Sequence, residues 1–431
     1  MKKVAFCTLG CKVNQYETNA MEEKFINDGY EIVDFEKKAD IYVINTCTVT
    51  NMSDKKSRQM LRKAKQLNNN SIVVAVGCYA QVSKEKLEEM EEVDLILGNN
   101  EKIDIVKYVE EFEKQKIIHL EDIIHQMEFL DFGTTTYMDK TRAVIKIQDG
   151  CDRFCSYCII PYARGRVRSR KIENIICEIE ALTAKGIKEV VLTGIHIASY
   201  GKDFKDNMTL IDLLERINSV KGIRRIRIGS LEPTIINEKF LERLSKLDKI
   251  CHHFHLSLQS GCDETLKRMN RKYSTEEFKK VVNLLRKEYA DVILTTDIIV
   301  GFPGETEEEF NKTYEFLKEI SFYKMHVFKY SRRKGTKADS MENQILPQVQ
   351  EERSKKILEL SNDNQKMYNN KYIGKTVEVL FEEKEKECVK GHTKNYIMVS
   401  AKVDDIKKYN NQILKVEIFD NIVEELIGNV I

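Results

Sequence analysis

The chain has 431 residues, with 70 Lys and Arg against 69 Asp and Glu and a formal net charge of +1. That length predicts two to four domains with real cores. The balanced charge excludes a uniformly basic surface, so a nucleic-acid partner has to be met by local basic patches. No run of about 18 apolar residues is present, so no membrane-spanning helix is expected.

The apolar stretch after Lys2 and Lys3 is broken at Lys12 and Asn14, too early for a secretory signal. Eleven cysteines without such a signal predict a reducing, cytoplasmic setting. Six of them sit in glycine-rich or polar loops, a placement that favours metal or cluster ligation over disulfides. Cys7, Cys177, Cys251, Cys262 and Cys388 read as scattered structural cysteines.

Alternating apolar patterns predict strands at residues 3–8, 40–45 and 71–76, with helices over 16–28 and 53–67. Residues 1–112 are therefore expected to form a parallel α/β sheet domain. Cys11, Cys47 and Cys78, in LGCKVNQ, NTCTVT and VGCYAQ, each follow one of its strands. The carboxyl ends of parallel strands share one edge where ligands gather, so the three are expected to converge. Three thiolates would leave one iron of a cluster open. Residues 113–140 show no clear repeat and read as a linker with short helices.

A second α/β series spans residues 141–345. Its strands are predicted at 143–148, 189–193, 224–228, 254–258, 291–299 and 324–328, with helices such as 171–185, 275–289 and 305–320. Six βα units predict an open, partial (β/α)6 barrel. The first strand runs into CDRFCSYC, which places Cys151, Cys155 and Cys158 at CxxxCxxC spacing. Three thiolates can hold three irons of a cubane that normally takes four. The open iron can then be chelated by the amino and carboxylate groups of S-adenosylmethionine, and an electron from the cluster breaks a carbon–sulfur bond to give a 5′-deoxyadenosyl radical. Rim segments after other strands, LTGIHIASYG with Gly194, IGSLEP, SLQSG with Gln259 and TTDIIVGFPGE with Asp297, suit contacts to that cofactor. A zinc knuckle is the competing reading of the cysteine loop.

Residues 346–373 read as a polar connecting helix. Residues 374–431 switch to strands, at 376–381, 397–401 and 412–419, and predict a small all-β barrel. Arg164, Arg166, Arg168 and Arg170 in ARGRVRSR are candidate phosphate contacts. Lys390, His392, Lys394 and Tyr396 in KGHTKNY set cations beside an aromatic, a pattern suited to single-stranded RNA. His252, His253 and His255 are expected to play structural or hydrogen-bonding roles.

Along essentially its whole length the sequence resembles the radical S-adenosylmethionine methylthiotransferases. The likeness rests on LGCKVN, NTCTV, VGCYAQ, CDRFCSYCIIPYARG, SLQSG, DIIVGFPGE and FKYSRRKGTKA. It implies a methylthiotransferase domain, a radical barrel and a C-terminal TRAM domain. It also implies two 4Fe-4S clusters, an auxiliary one on Cys11, Cys47 and Cys78 and a radical one on Cys151, Cys155 and Cys158, together with S-adenosylmethionine. The implied partners are tRNA and an electron donor such as flavodoxin or ferredoxin. LGCKVNQYET resembles the subgroup acting on N6-threonylcarbamoyladenosine beside the anticodon, at position 37, where a methylthio group is placed on C2. Isopentenyladenosine enzymes more often read FGCQMN and ribosomal-protein enzymes LGCPKN, so Lys12 and Val13 carry much of that assignment. The alternatives are the same chemistry on isopentenyladenosine or a ribosomal-protein aspartate, or a non-catalytic zinc-stabilised RNA-binding protein.

Overall fold

A computed structural model describes residues 1–113, 115–135, 141–385, 388–403 and 406–431. Three units follow one another along the chain. In the first, strands β1 (Lys3–Thr8), β2 (Glu31–Val33), β3 (Ile41–Thr46), β4 (Ile72–Gly77), β5 (Leu95–Leu97) and β6 (Ile117–His119) form one sheet in the order β2-β1-β3-β4-β5-β6. Every pairing in it is parallel. The three expected strands are its centre, each within a residue of its predicted bounds. β6 lies in the segment expected to be a linker with short helices. Its three residues are too few to show a period, yet they pair with β5 from Leu95↔Ile117 to Leu97↔His119.

The central strands are apolar on both faces: all six residues of β3 are buried. That is the pattern of a sheet covered on both sides, and separate apolar clusters occupy its two faces.

The second unit holds β7 (Arg142–Asp149), β8 (Arg168–Ser169), β9 (Glu189–Gly194), β10 (Arg225–Ile228), β11 (His253–Gln259), β12 (Ile293–Val300) and β13 (Lys324–Lys329). The sheet β10-β9-β7-β8 and the sheet β11-β12-β13 are joined by the bridges Ile226↔Ile250 and Leu231↔Leu256. Six parallel strands thus run β7-β9-β10-β11-β12-β13, the partial barrel expected, and β8 adds a short antiparallel edge. One large apolar core lies between these strands and their helices.

The helix Pro347–Asn370 leads to the tail. There β14 (Thr376–Glu385), β15 (Cys388–Thr393), β16 (Met398–Lys402), β17 (Ile413–Asn421) and β18 (Leu426–Val430) close into a barrel. β15 and β18 escaped the sequence pattern because their alternation is interrupted by Gly391 and Gly428. Among the described residues no helix is long and apolar enough to cross a membrane.

Candidate metal centres at the domain junction

Cys11, Cys47 and Cys78 lie just beyond β1, β3 and β4, which are adjacent in the sheet. Gly10 lets two of these loops touch. Its φ is +102°, and a Cβ there would stand 2.9 Å from the Sγ of Cys47. Two asparagines staple the loops. Asn14 donates to the carbonyls of Leu9 (2.7 Å) and Thr46 (3.0 Å), and Asn45 donates to the carbonyl of Asn14 (2.9 Å). Burial pushes the Cys47 thiol up, and the charges of Cys78 and Cys11 add to the rise. The three cysteines thus follow neighbouring strands at one edge of the sheet.

The second trio sits in the loop that leaves β7. Gly150 opens that loop at φ +68°, where a Cβ would run into the carbonyl of Arg166. The amide of Cys158 donates to the carbonyl of Cys155 at 2.9 Å, closing a turn. Ser156 anchors it from both sides: its amide donates to the Met269 carbonyl and its own carbonyl accepts from Ala338. Tyr157 packs its ring edge-on to Phe302. Burial raises Cys151 to about 11 and Cys158 to about 12, with the neighbouring thiolates contributing to both. Ligation at these sites therefore releases protons.

Among the described residues, a guanidinium donates to a sulfur of each trio. The Nη1 of Arg271 donates to Cys155 Sγ at 3.2 Å, and Nε of Arg164 donates to Cys78 Sγ at 3.2 Å. Arg164 is fully buried, though it belongs to the second unit and Cys78 to the first. Its guanidinium also reaches Glu17 (2.7 Å), Asp149 (3.1 Å) and Asn14 (2.6 Å). Glu17 further holds Lys102 and Lys146, and Asp149 holds Lys146 and the more distant Arg168. Among the described residues, four buried cations here share two carboxylates. Buried charge is costly unless compensated, and an anionic cluster on the Cys78 trio would supply the missing negative charge. Among the described residues no three His, Cys, Asp or Glu side chains gather around a single-ion site. A cubane instead takes each cysteine on a different iron. The donor sets, three thiols each with an open fourth position, fit such clusters.

A model of the radical SAM superfamily matches residues 145–317, and a model of the uncharacterised protein family UPF0004 matches residues 3–98. The threonylcarbamoyladenosine tRNA methylthiotransferase MtaB of Bacillus subtilis (strain 168) is 44% identical over 93% of this chain and 91% of its own. That of Aquifex aeolicus (strain VF5) is 42% identical over 92% of this chain and 95% of its own. The chain belongs to the radical S-adenosylmethionine methylthiotransferases. Its chemistry uses S-adenosylmethionine and 4Fe-4S clusters. The radical S-adenosylmethionine methyltransferase TsrM of Kitasatospora setae shares the fold, with a TM-score of 0.55, 16% identity and coverage of 76% of this chain and 73% of that one.

On the rim of this methylthiotransferase's barrel, the candidate cofactor contacts have local partners. Gly194 ends β9 against Gln148 and Ile197. Gln259 ends β11 at φ +73°. Asp297 faces His255, whose Nε2 lies 3.1 Å from its carboxylate. His253 and His255 both reach Thr295 Oγ1 at 3.0 Å, the hydrogen-bonding role expected of them. A stronger constellation lies within the expected rim segments, on residues the sequence did not single out. Glu232, in the IGSLEP segment, accepts from Arg153 of the cysteine loop at 2.9 Å and pairs with His196 at 2.6 Å. Burial would raise its carboxyl, but His196, Arg271 and Arg153 hold it at about 2. Arg333, from the SRRKG segment, donates to Thr48 (2.5 Å) and pairs with Asp54 (2.9 Å), tying the Cys47 loop to the barrel.

The expected RNA contacts need correction. Arg164, Arg168 and Arg170 are buried, the last on Glu178 and Asp131. A guanidinium enclosed by carboxylates cannot meet a phosphate. Arg166 alone of the four is half exposed, 3.2 Å from Asp152. In the tail, Lys390 pairs with Glu425, His392 with Glu382, and Lys394 donates to the Asp248 carbonyl. Tyr396 stacks on His253 and His392 with ring centroids 4.6 and 4.5 Å apart, under the guanidinium of Arg227. Lys394 and Tyr396 thus dock the tail barrel on the radical unit, while the side chains of Lys390 and His392 pair with acids of the tail itself. Lys390, His392 and Tyr396 also line a cavity at this junction.

Proposed function

We propose that the protein transfers a methylthio group to C2 of N6-threonylcarbamoyladenosine at position 37 of tRNA, with S-adenosylmethionine as both radical source and methyl donor. Cys151, Cys155 and Cys158 hold the radical cluster; Cys11, Cys47 and Cys78 hold the auxiliary one. The clusters, when bound, supply the electron for cleavage of S-adenosylmethionine and a site for the sulfur to be transferred. The observation that carries the reading is Arg164, which runs from the segment behind the radical loop to Cys78 Sγ and so fixes one trio against the other. Two open-sited centres held at one junction suit insertion of a sulfur-containing group into an unreactive carbon–hydrogen bond.

The chain's own residues position and enclose. Arg153, His196 and Glu232 brace the radical loop. Asn14, Asn45 and Arg333 brace the auxiliary loops. Support for the nucleoside comes from the two relatives, which match this chain over more than nine-tenths of its length. The test is the nucleoside content of tRNA from a strain lacking the gene. Loss of 2-methylthio-N6-threonylcarbamoyladenosine, restored by the gene, is expected. Loss of the 2-methylthio isopentenyl derivative instead, or an unchanged nucleoside profile, overturns the reading.

A further inference from the structure

A cavity of about 750 Å3 opens where all three units meet. Lys12 lines it from the first, His255, Asp297 and His326 from the barrel, and Tyr396 and Glu425 from the tail. Its volume suits a small polar ligand such as a nucleoside with its substituent. We propose that Lys12 is the specificity-determining residue of the site, its ammonium binding the threonyl carboxylate of the substrate nucleoside in this cavity. The inference rests on the nucleoside reading above.

The charge inventory carries it. The other lining cations face acids: Lys324 faces Glu424 at 3.5 Å, Lys390 faces Glu425 at 3.4 Å, and Arg227 lies 2.7 Å from Glu189. Burial keeps His253, His326 and His392 toward the neutral form. Among the described residues Lys12 has no carboxylate within ion-pair distance. Its electrostatic neighbours are Tyr396 and, more weakly, Glu189, which is already committed to Arg227, with Arg225 and Arg142 close by.

Lys12 is also badly placed for helix stability. It is the first residue of the helix Lys12–Asn27, against the positive end of the helix dipole, and no acidic residue shares that first turn. The anionic cluster that the neighbouring Cys11 would help hold is one counter-charge there, and an anion in the cavity would be a second. An uncharged isopentenyl group would fill the space and leave the ammonium unpaired, which is discrimination by an unmet charge. Cys11 is the neighbouring residue, so a substituent held by Lys12 keeps its base near the auxiliary trio.

A tRNA backbone phosphate offers the same anionic chemistry, and the experiment separates the two sources. Affinities of the cluster-loaded enzyme are measured for anticodon stem-loops carrying N6-threonylcarbamoyladenosine, N6-isopentenyladenosine or plain adenosine at position 37. The wild type is expected to prefer the modified RNA about tenfold, the scale of one charge-assisted hydrogen bond. Lys12→Met should lose that preference while binding plain RNA as before, which also shows that it folds; Lys12→Arg should keep it. An equal loss for both RNAs assigns Lys12 to a phosphate and overturns the proposal, as does a preference that survives in Lys12→Met. A wild type that prefers an isopentenyladenosine stem-loop overturns the nucleoside reading itself.

Discussion

Cys151, Cys155 and Cys158 lie in one loop, whereas Cys11, Cys47 and Cys78 come together from the ends of three strands. The first trio is set by local turns and would keep its spacing in any fold that preserved the loop. The second exists only because β1, β3 and β4 are neighbours in a parallel sheet. A local trio depends on its own loop; a convergent trio depends on the integrity of a domain and on what is packed against it. The surroundings follow the same division. Arg271 reaches Cys155 from the same unit, while Arg164 reaches Cys78 across a domain boundary.

The largest effects should come from breaking one trio and watching the other. Cys151→Ala should abolish 5′-deoxyadenosine formation in reconstituted enzyme while leaving the auxiliary cluster's iron, roughly half the total. Cys47→Ala should remove a similar share of iron, retain 5′-deoxyadenosine formation and abolish methylthiolation. Iron content and product assays check both. If either variant loses both clusters, the two centres are not independent.

Next in size is Arg164→Met, which removes the bonds from the second unit to Asn14, Glu17 and Cys78 of the first. A hydrogen bond to a charged group contributes about 1.5–3 kcal/mol, so thermal unfolding should shift down and the auxiliary cluster should be lost before the radical one. A variant as stable as wild type would show that the network does not join the domains.

Much of this division was legible in the chain. Local spacing revealed the radical loop, and the repetition of one cysteine after each of three strands revealed the convergent trio. What was not legible was the layer around them. Arg164, Arg168 and Arg170 form an alternating basic run that looks like a phosphate-binding surface. Nothing local says that Glu17, Lys102 and Lys146, far away in sequence, enclose it. β6 was missed because three residues carry no period. The stack of Tyr396 on His253 was not legible either, because an aromatic among cations suits an interdomain stack as well as an RNA base. Residue type predicts the chemistry of a contact; only packing chooses its partner.

On the radical side the comparison can be sharpened with pH. Glu232 is held at about 2 by His196, Arg271 and Arg153, below its value in the unfolded chain. Between that value and the ordinary range near 4.3, the unfolded state binds more protons, so stability rises with pH through this window and is lost as pH falls through it. Glu232→Gln should therefore lose about 3 kcal/mol at neutral pH. The gap to wild type should close as pH drops toward 2, as denaturant unfolding at several pH values would show. A gap independent of pH would mean that packing, not the ionised carboxylate, matters there.

The smallest effect isolates the arginine that burial spared. Arg166 and Asp152 are each about half exposed, 3.2 Å apart, and the guanidinium also lies over the ring of Phe154. A pair this exposed is screened and contributes little, so Arg166→Gln should change stability by less than about 1 kcal/mol. If its cation meets a tRNA phosphate, the same change should weaken binding of all tRNAs alike and reduce the slope of log affinity against log salt by about one. A salt titration reads this directly. An unchanged slope would leave the ARGRVRSR run with no phosphate contact at all, and its four arginines would then serve the junction between the two cysteine trios alone.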